Sequence, residues 1–156
     1  MPQEIKLVQA QPTLIAVRRV NTTFAQWPNQ WKAALDEVYS TTKSHKIQTL
    51  GINVMVYHPR GGGHAEIECG VQVASQFEAL GNVICSVTPK GCAATITHVG
   101  PYQKMRESYQ ALDAWCRENG HKQIGTSWEI YGHWNNDASK LRTELFYLLE
   151  TNASPA

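Results

Sequence analysis

The sequence predicts an α+β fold in which a βαββ unit occurs twice. The copies are expected to be related by a pseudo-twofold axis, with an antiparallel sheet, helices on one side and a ligand cleft between the halves. Three observations carry this prediction. The apolar periodicities follow the order strand, helix, strand, strand, and that order then starts again. Matching Val20 with Val99, Tyr57 with Tyr131 and Glu68 with Glu144 gives offsets of 79, 74 and 76 residues, the mark of a duplicated unit rather than a solenoid. The 156 residues, 42% hydrophobic and 17% charged, suffice for one domain with a sizeable core or two small halves fused around one. The expectation is a single domain over 1–156, with the first repeat at about 4–75 and the second at about 83–150.

Leu14 to Val20 reads as a strand, with Ile15 and Val17 facing opposite to Leu14 and Ala16. Thr22 and Thr23 can start or cap the next element. From Phe24 to about Tyr39, Trp27, Trp31, Ala34 or Leu35, and Val38 recur at helical spacing, with Pro28 fitting only the first turn. Ser40 to Lys46 reads as a polar connection. Gly51 to His58 holds a strand ending at Pro59, and Gly61-Gly62-Gly63 makes a hairpin tip. These glycines are no phosphate cradle, since neither Gly-Lys-Ser/Thr nor a helix comes after them. In the strand from Ala65 to Val73, Ile67, Cys69, Val71 and Val73 share one face, while Glu66, Glu68 and Gln72 share the other. Ala74 to Asn82 reads as a linker. The pattern restarts with a strand from Cys92 to Val99. A helix opened by Gly100-Pro101 is next, striped by Tyr102, Met105, Tyr109, Leu112, Trp115 and Cys116 and stopped by Asn119-Gly120. A strand from Thr126 to Trp134, a turn at Asn135 to Asp137 and a strand from about Leu141 to Leu149 complete the copy. Thr151 to Ala156 is expected to fray.

The net charge is +1, with seven basic against six acidic residues up to position 78 and seven against seven after it, so neither half offers the clustered charge of a nucleic-acid binder. No apolar run has signal-peptide or membrane-spanning length, and a cytoplasmic location is the default expectation. Cys69, Cys85, Cys92 and Cys116 show no CxxC spacing and read as reduced, buried thiols. The six histidines show no metal-ligand spacing, and neither a metal nor a cofactor is expected.

Strand alternation over Thr126–Trp134 puts Trp128, Ile130 and Trp134 on one face and Glu129, Tyr131 and His133 on the other. A carboxylate among rings must gain a cation, gain hydrogen bonds or take up a proton. Glu129 is therefore a counter-ion, a general acid or base, or a structural carboxylate. Met55 takes its place in the first copy. Tyr131 and Tyr57 are the first candidates for a ring wall, followed by Trp27, Trp31, Tyr109 and Phe146. Glu68 and Glu144 read as solvated strand-face residues or partners of Arg18, Arg19 or Arg142.

Thr97-His98-Val99-Gly100-Pro101-Tyr102, Leu112-Asp113-Ala114-Trp115, Asn119-Gly120, Trp128-Glu129-Ile130-Tyr131 and Arg142-Thr143-Glu144-Leu145 resemble the GyrI-like small-molecule-binding family, also called the bacterial transcription-activator effector-binding domain. Glu68-Cys69-Gly70-Val71 resembles the matching motif of the first half, so the likeness spans about 4 to 149. The resemblance implies a cleft in which lipophilic cations stack on rings and are neutralised by a carboxylate, here Glu129. It further implies a free-standing form of a domain often fused to a DNA reader, serving drug sensing, sequestration or transcription regulation. Two alternatives come with it. One is a hydrolase of strained cyclopropanes using Glu129 as base, and the other is a DNA gyrase inhibitor acting through protein contacts. Expected partners are thus a small hydrophobic or cationic molecule and, in the protein-contact reading, a regulator or gyrase. The chain is expected to act as a monomer or homodimer.

Overall fold

The computed structural model describes residues 4–150; the tail expected to fray lies outside them. The chain divides into two compact units. One runs from Pro12 to Thr88, the first-half unit; the other, the second-half unit, runs from Pro89 onward and takes in the residues up to Gln11.

In the first-half unit, β2 (Leu14–Thr23), α1 (Trp31–Ser44), β3 (Thr49–Gly61) and β4 (His64–Val73) come in order, with β5 (Val83–Val87) closing the chain segment. They form an antiparallel sheet in the order β3-β4-β2-β5 with α1 on one face. The second-half unit contains β6 (Gly91–Val99), α2 (Met105–Glu118), β7 (Gln123–Tyr131) and β8 (Arg142–Leu149), and its sheet order β1-β6-β8-β7 begins with β1 (Ile5–Ala10). The fold is therefore α+β, antiparallel and built of βαββ units, as the periodicities predict. Neither β1 nor β5 is predicted. Both are short edge strands whose partners, β6 and β2, lie far away in sequence, so their conformation is set by pairing.

Each helix buries the same stripe. Ala34, Val38 and Thr42 of α1 are buried, Val38 in a cluster with Ala16, Val71, Val73 and Val83. Ser108, Leu112 and Cys116 of α2 are buried in the unit that holds Ala94, Ile96, Leu145 and Leu149. Each fully buried Val, Ile or Leu contributes about 1.5–3 kcal/mol, so these stripes fix which sheet face each helix covers. The pairing registers then match position by position. Met55 faces Cys69 as Glu129 faces Leu145, a shift of 74 on β3 and 76 on β4. Cys69 faces Arg18 as Leu145 faces Ile96, a shift of 78 on β2. Val20 thus corresponds to His98, one residue away from the Val99 chosen by sequence, because Val99 lies on the opposite face of β6.

Four other boundaries differ from expectation. The helix predicted from Phe24 to Tyr39 begins at Trp31 after a single 3-10 turn at Trp27–Asn29, where Pro28 sits. It runs on to Ser44: the hydroxyls of Thr42 and Ser44 bond to the carbonyls of Tyr39 (3.1 Å) and Ser40 (2.9 Å) within the helix, and most of the predicted polar connection is its last turn. β3 continues through Pro59 to Gly61 by means of a bulge. The strand of Glu129 spans Gln123–Tyr131 rather than Thr126–Trp134. The Gly132 N–H bonds to the Arg142 carbonyl at 2.8 Å, and His133 and the 71%-exposed Trp134 lie in the loop after it.

Both helices stop in the same way. Lys46 and Gly120 adopt left-handed φ values of 56° and 71°. Ile47 and His121 then donate back to the carbonyls of Thr42 (2.9 Å) and Cys116 (2.8 Å).

Candidate functional site

Glu129 and Tyr131, two apart on β7, share the face that α2 covers, and Tyr109 comes down from α2. The Glu129 side chain is buried at 4% exposure. Its Oε1 accepts the Tyr131 hydroxyl at 2.6 Å and its Oε2 accepts the Tyr109 hydroxyl at 2.5 Å. Hydrogen bonds of this length to an ionised oxygen are the strong, charge-assisted kind. The surrounding rings extend the cluster. Tyr102 meets Tyr131 edge-on at 5.5 Å, and Tyr147 stacks on Tyr109 at 5.8 Å. Burial raises the Tyr102 hydroxyl above its ordinary range. It raises that of Tyr147 further, helped by the charge of Asp113 and a hydrogen bond to it, then by Cys116 and Glu129. Both therefore stay neutral phenols at physiological pH. Thr143, flanked in register by His98 and Tyr131, carries a buried hydroxyl with no hydrogen-bond partner among the described residues.

A second polar contact stands behind the turn that carries Tyr102. Buried His98, at the end of β6, bonds through Nδ1 to Ser108 Oγ at 2.7 Å and through Nε2 to the Pro101 carbonyl at 2.9 Å. A carbonyl can only accept, so Nε2 carries the proton and, in the neutral ring, Nδ1 accepts from Ser108. The sequence signal for this pair is faint: a serine on the stripe position that leads, four by four, to Leu112 and Cys116.

Phe146 lies on the opposite face of its sheet, stacked on Trp128 at 4.9 Å with the rings nearly parallel. Met55, Tyr57, Trp27 and Trp31 belong to the first-half unit. There the Tyr57 hydroxyl donates to Met55 Sδ at 3.4 Å and its ring stacks on the half-exposed Phe24 at 6.3 Å. Trp27 is buried, whereas Trp31 is 39% exposed at the start of α1.

Glu68, expected to be solvated or paired with an arginine, is buried at 4% exposure on the face away from α1. Its carboxylate accepts from Ser86 at 2.5 Å and contacts His58 Nε2 at 2.8 Å and Arg19 Nε at 3.5 Å. Burial alone would raise its pKa; the bonds from His58 and Ser86, with the charges of Arg19 and His58, outweigh that and hold it below the usual carboxylate range. One side chain thus ties together β2, β3, β4 and β5. The Cys69 thiol is pushed up to about 12 by burial, and the chain's thiols are unpaired among the described residues. No group of three metal-ligating side chains occurs among the described residues.

Two βαββ units, one of them with a buried carboxylate bonded to two tyrosines, make this a protein of the α+β class. The family model of the GyrI-like small molecule binding domain matches residues 1–149, and the chain belongs to that family. Among solved structures, the C-terminal domain of EcmrR superposes with a TM-score of 0.80 at 22% identity, over 97% of this chain and 100% of that one. SAV2435 bound to tetraphenylphosphonium gives 0.65 at 10% identity, over 94% of each chain. A hydrolase from Listeria innocua gives 0.63 at 10% identity, over 94% of this chain and 92% of that one. At these identities the likeness is one of fold. A search of curated proteins gives no match.

Proposed function

We propose that the protein binds lipophilic organic cations, with Glu129 as counter-ion and the rings of Tyr109, Tyr131 and Tyr102 as the surface on which the cation rests. The observation that carries this reading is the pair of tyrosine hydroxyls donating to the two oxygens of one buried carboxylate. A phenol that donates to an anion becomes more electron-rich in its ring, which strengthens the ring face as a partner for positive charge. The carboxylate and the rings therefore act together, each making the other a better cation site. A delocalised cation is cheap to dehydrate and gains about 0.5–2 kcal/mol per ring face. A few such contacts beside one buried charge give micromolar affinity without tight shape selection, which suits drug sensing or sequestration. The solved relative bound to tetraphenylphosphonium supports the choice of ligand class. The hydroxyl contacts favour a counter-ion over a general base, because both oxygens already accept hydrogen bonds with which an attacking water would have to compete.

Tetraphenylphosphonium is expected to quench the tryptophan fluorescence on titration. Glu129→Gln, which keeps the shape and removes the charge, should weaken binding at least about tenfold. Equal affinity in the variant would sink the assignment.

A further inference from the structure

We infer that His98 and Ser108 form a positioning device for the binding site, holding the turn at Pro101 so that Tyr102 stays against Tyr131. The inference rests on the cation-binding reading and names residues through which that site is kept in shape.

The turn is fastened at three points. The Gly100 N–H donates to the Leu141 carbonyl at 2.8 Å, and the Pro101 carbonyl accepts from both the Lys104 N–H at 3.0 Å and His98 Nε2 at 2.9 Å. Tyr102 is the next residue, and its ring lies 5.5 Å from that of Tyr131, whose hydroxyl is on Glu129. His98 is itself oriented by Ser108, so a chain of contacts runs from α2 through the imidazole to the turn and on to the ring beside the carboxylate.

The first-half unit shows what this arrangement is not for. By the registers of β2 and β6, and by the matching buried stripes of the helices, Val20 stands at the position of His98 and Ala34 at that of Ser108. There a helix docks on a sheet with neither polar group, so the imidazole and hydroxyl are not needed for docking. Burying them costs desolvation that an apolar pair avoids. What they add is a hold on the Pro101 carbonyl. Counted back from the helices, Tyr102 corresponds to Pro28, and the ring of the matching 3-10 turn in the first-half unit is buried Trp27, which begins that turn.

The double substitution His98→Val with Ser108→Ala installs the first-half pair in the second-half unit. It is expected to leave the thermal midpoint within a few degrees, since that pair already supports the same packing. Affinity for tetraphenylphosphonium should fall about two- to thirtyfold, the range one ring face covers. Tyr102→Ala should cost a similar factor, and the triple variant should lose no more than either, because the residues act through one ring. His98→Gln, whose amide can donate to Pro101, should restore most of the affinity. Losses that multiply in the triple variant, or unchanged binding in the double variant, would overturn the inference. If the wild-type protein binds no such cation, the functional reading falls instead. The positioning claim is then decided on the free protein, by an Nε2-protonated His98 in wild type and by Lys104 amide exchange that is slower there than in the double variant. Equal exchange in the two proteins would overturn it.

Discussion

Position for position, the two units carry different chemistry on the same frame. On the helix-covered face the first-half unit has Met55, Leu35, Val20 and Val71, where the second-half unit has Glu129, Tyr109, His98 and Tyr147. Tyr57 and Tyr131 agree, and so do the small buried residues Ala16 and Ala94. On the other face the contrast reverses. The first-half unit has buried Glu68 with Ser86, His58 and Arg19, and Gly70 beside it, while the second-half unit has exposed Glu144 and the stacked pair Phe146 and Trp128. Because the fold stands in either form, neither polar cluster is demanded by the βαββ frame. A buried carboxylate that the frame does not need is a candidate for function when rings surround it, and for local architecture when it ties four strands together. The first criterion selects Glu129 and the second Glu68.

Several substitutions break or sharpen this contrast. The largest effect is expected at Gly70, which corresponds to Phe146. A Cβ there would sit 1.7 Å from the Ala16 carbonyl oxygen, so Gly70→Ala should destabilise the protein by about 3 kcal/mol, measured by urea unfolding. The close approach of β2 and β4 tolerates no side chain, whereas the matching site in the other unit holds a phenyl ring.

Glu68→Gln comes next. Leaving His58, Ser86 and Arg19 without their shared anion should cost about 2 kcal/mol near neutral pH. The folded carboxyl is held below its ordinary range, so its contribution is present above that range and disappears as pH falls through the folded value. The wild-type protein should accordingly lose stability below about pH 4 more steeply than the variant. Parallel acid-unfolding curves would show that Glu68 does not tie the strands together.

The smallest effect concerns the helix ends. Lys46 takes the left-handed conformation that Gly120 takes in the second-half unit. Lys46→Gly should therefore stabilise the protein by about 0.5–1 kcal/mol. A loss of stability would mean that the lysine side chain contributes more there than its backbone costs.

The legible parts of the molecule were those with local causes. The helix stripes, the glycine hairpin, the Asn119-Gly120 stop and the placement of Glu129 and Tyr131 on one face all derive from periodicity or from one residue's conformational freedom. β1 and β5 were hidden because their strand character comes from partners more than sixty residues away. The end of α1 was hidden because Thr42 and Ser44 read as loop formers, yet their hydroxyls bond within the helix. Glu68 reads as a solvated face or the partner of an arginine; its contact with Arg19 agrees with the second, while its burial was hidden because alternation reports side, not cover. Of the hydrogen-bonded cluster in the second-half unit, Glu129, Tyr109 and Tyr131 are all named by the sequence reading. Tyr102 and its support by His98 and Ser108 depend on a turn that folds back over the sheet, which no spacing rule encodes.

The claim that Glu129 recognises charge is tested most directly by a pair of ligands on a pair of proteins. Calorimetric titration of wild type and Glu129→Gln with tetraphenylphosphonium and with neutral triphenylphosphine oxide separates charge from ring stacking. The wild-type protein should prefer the cation by about tenfold or more, and the variant should bind both about equally, a coupling of roughly 1.4 kcal/mol. A preference for the cation that survives in Glu129→Gln, or no preference in wild type, would contradict the account.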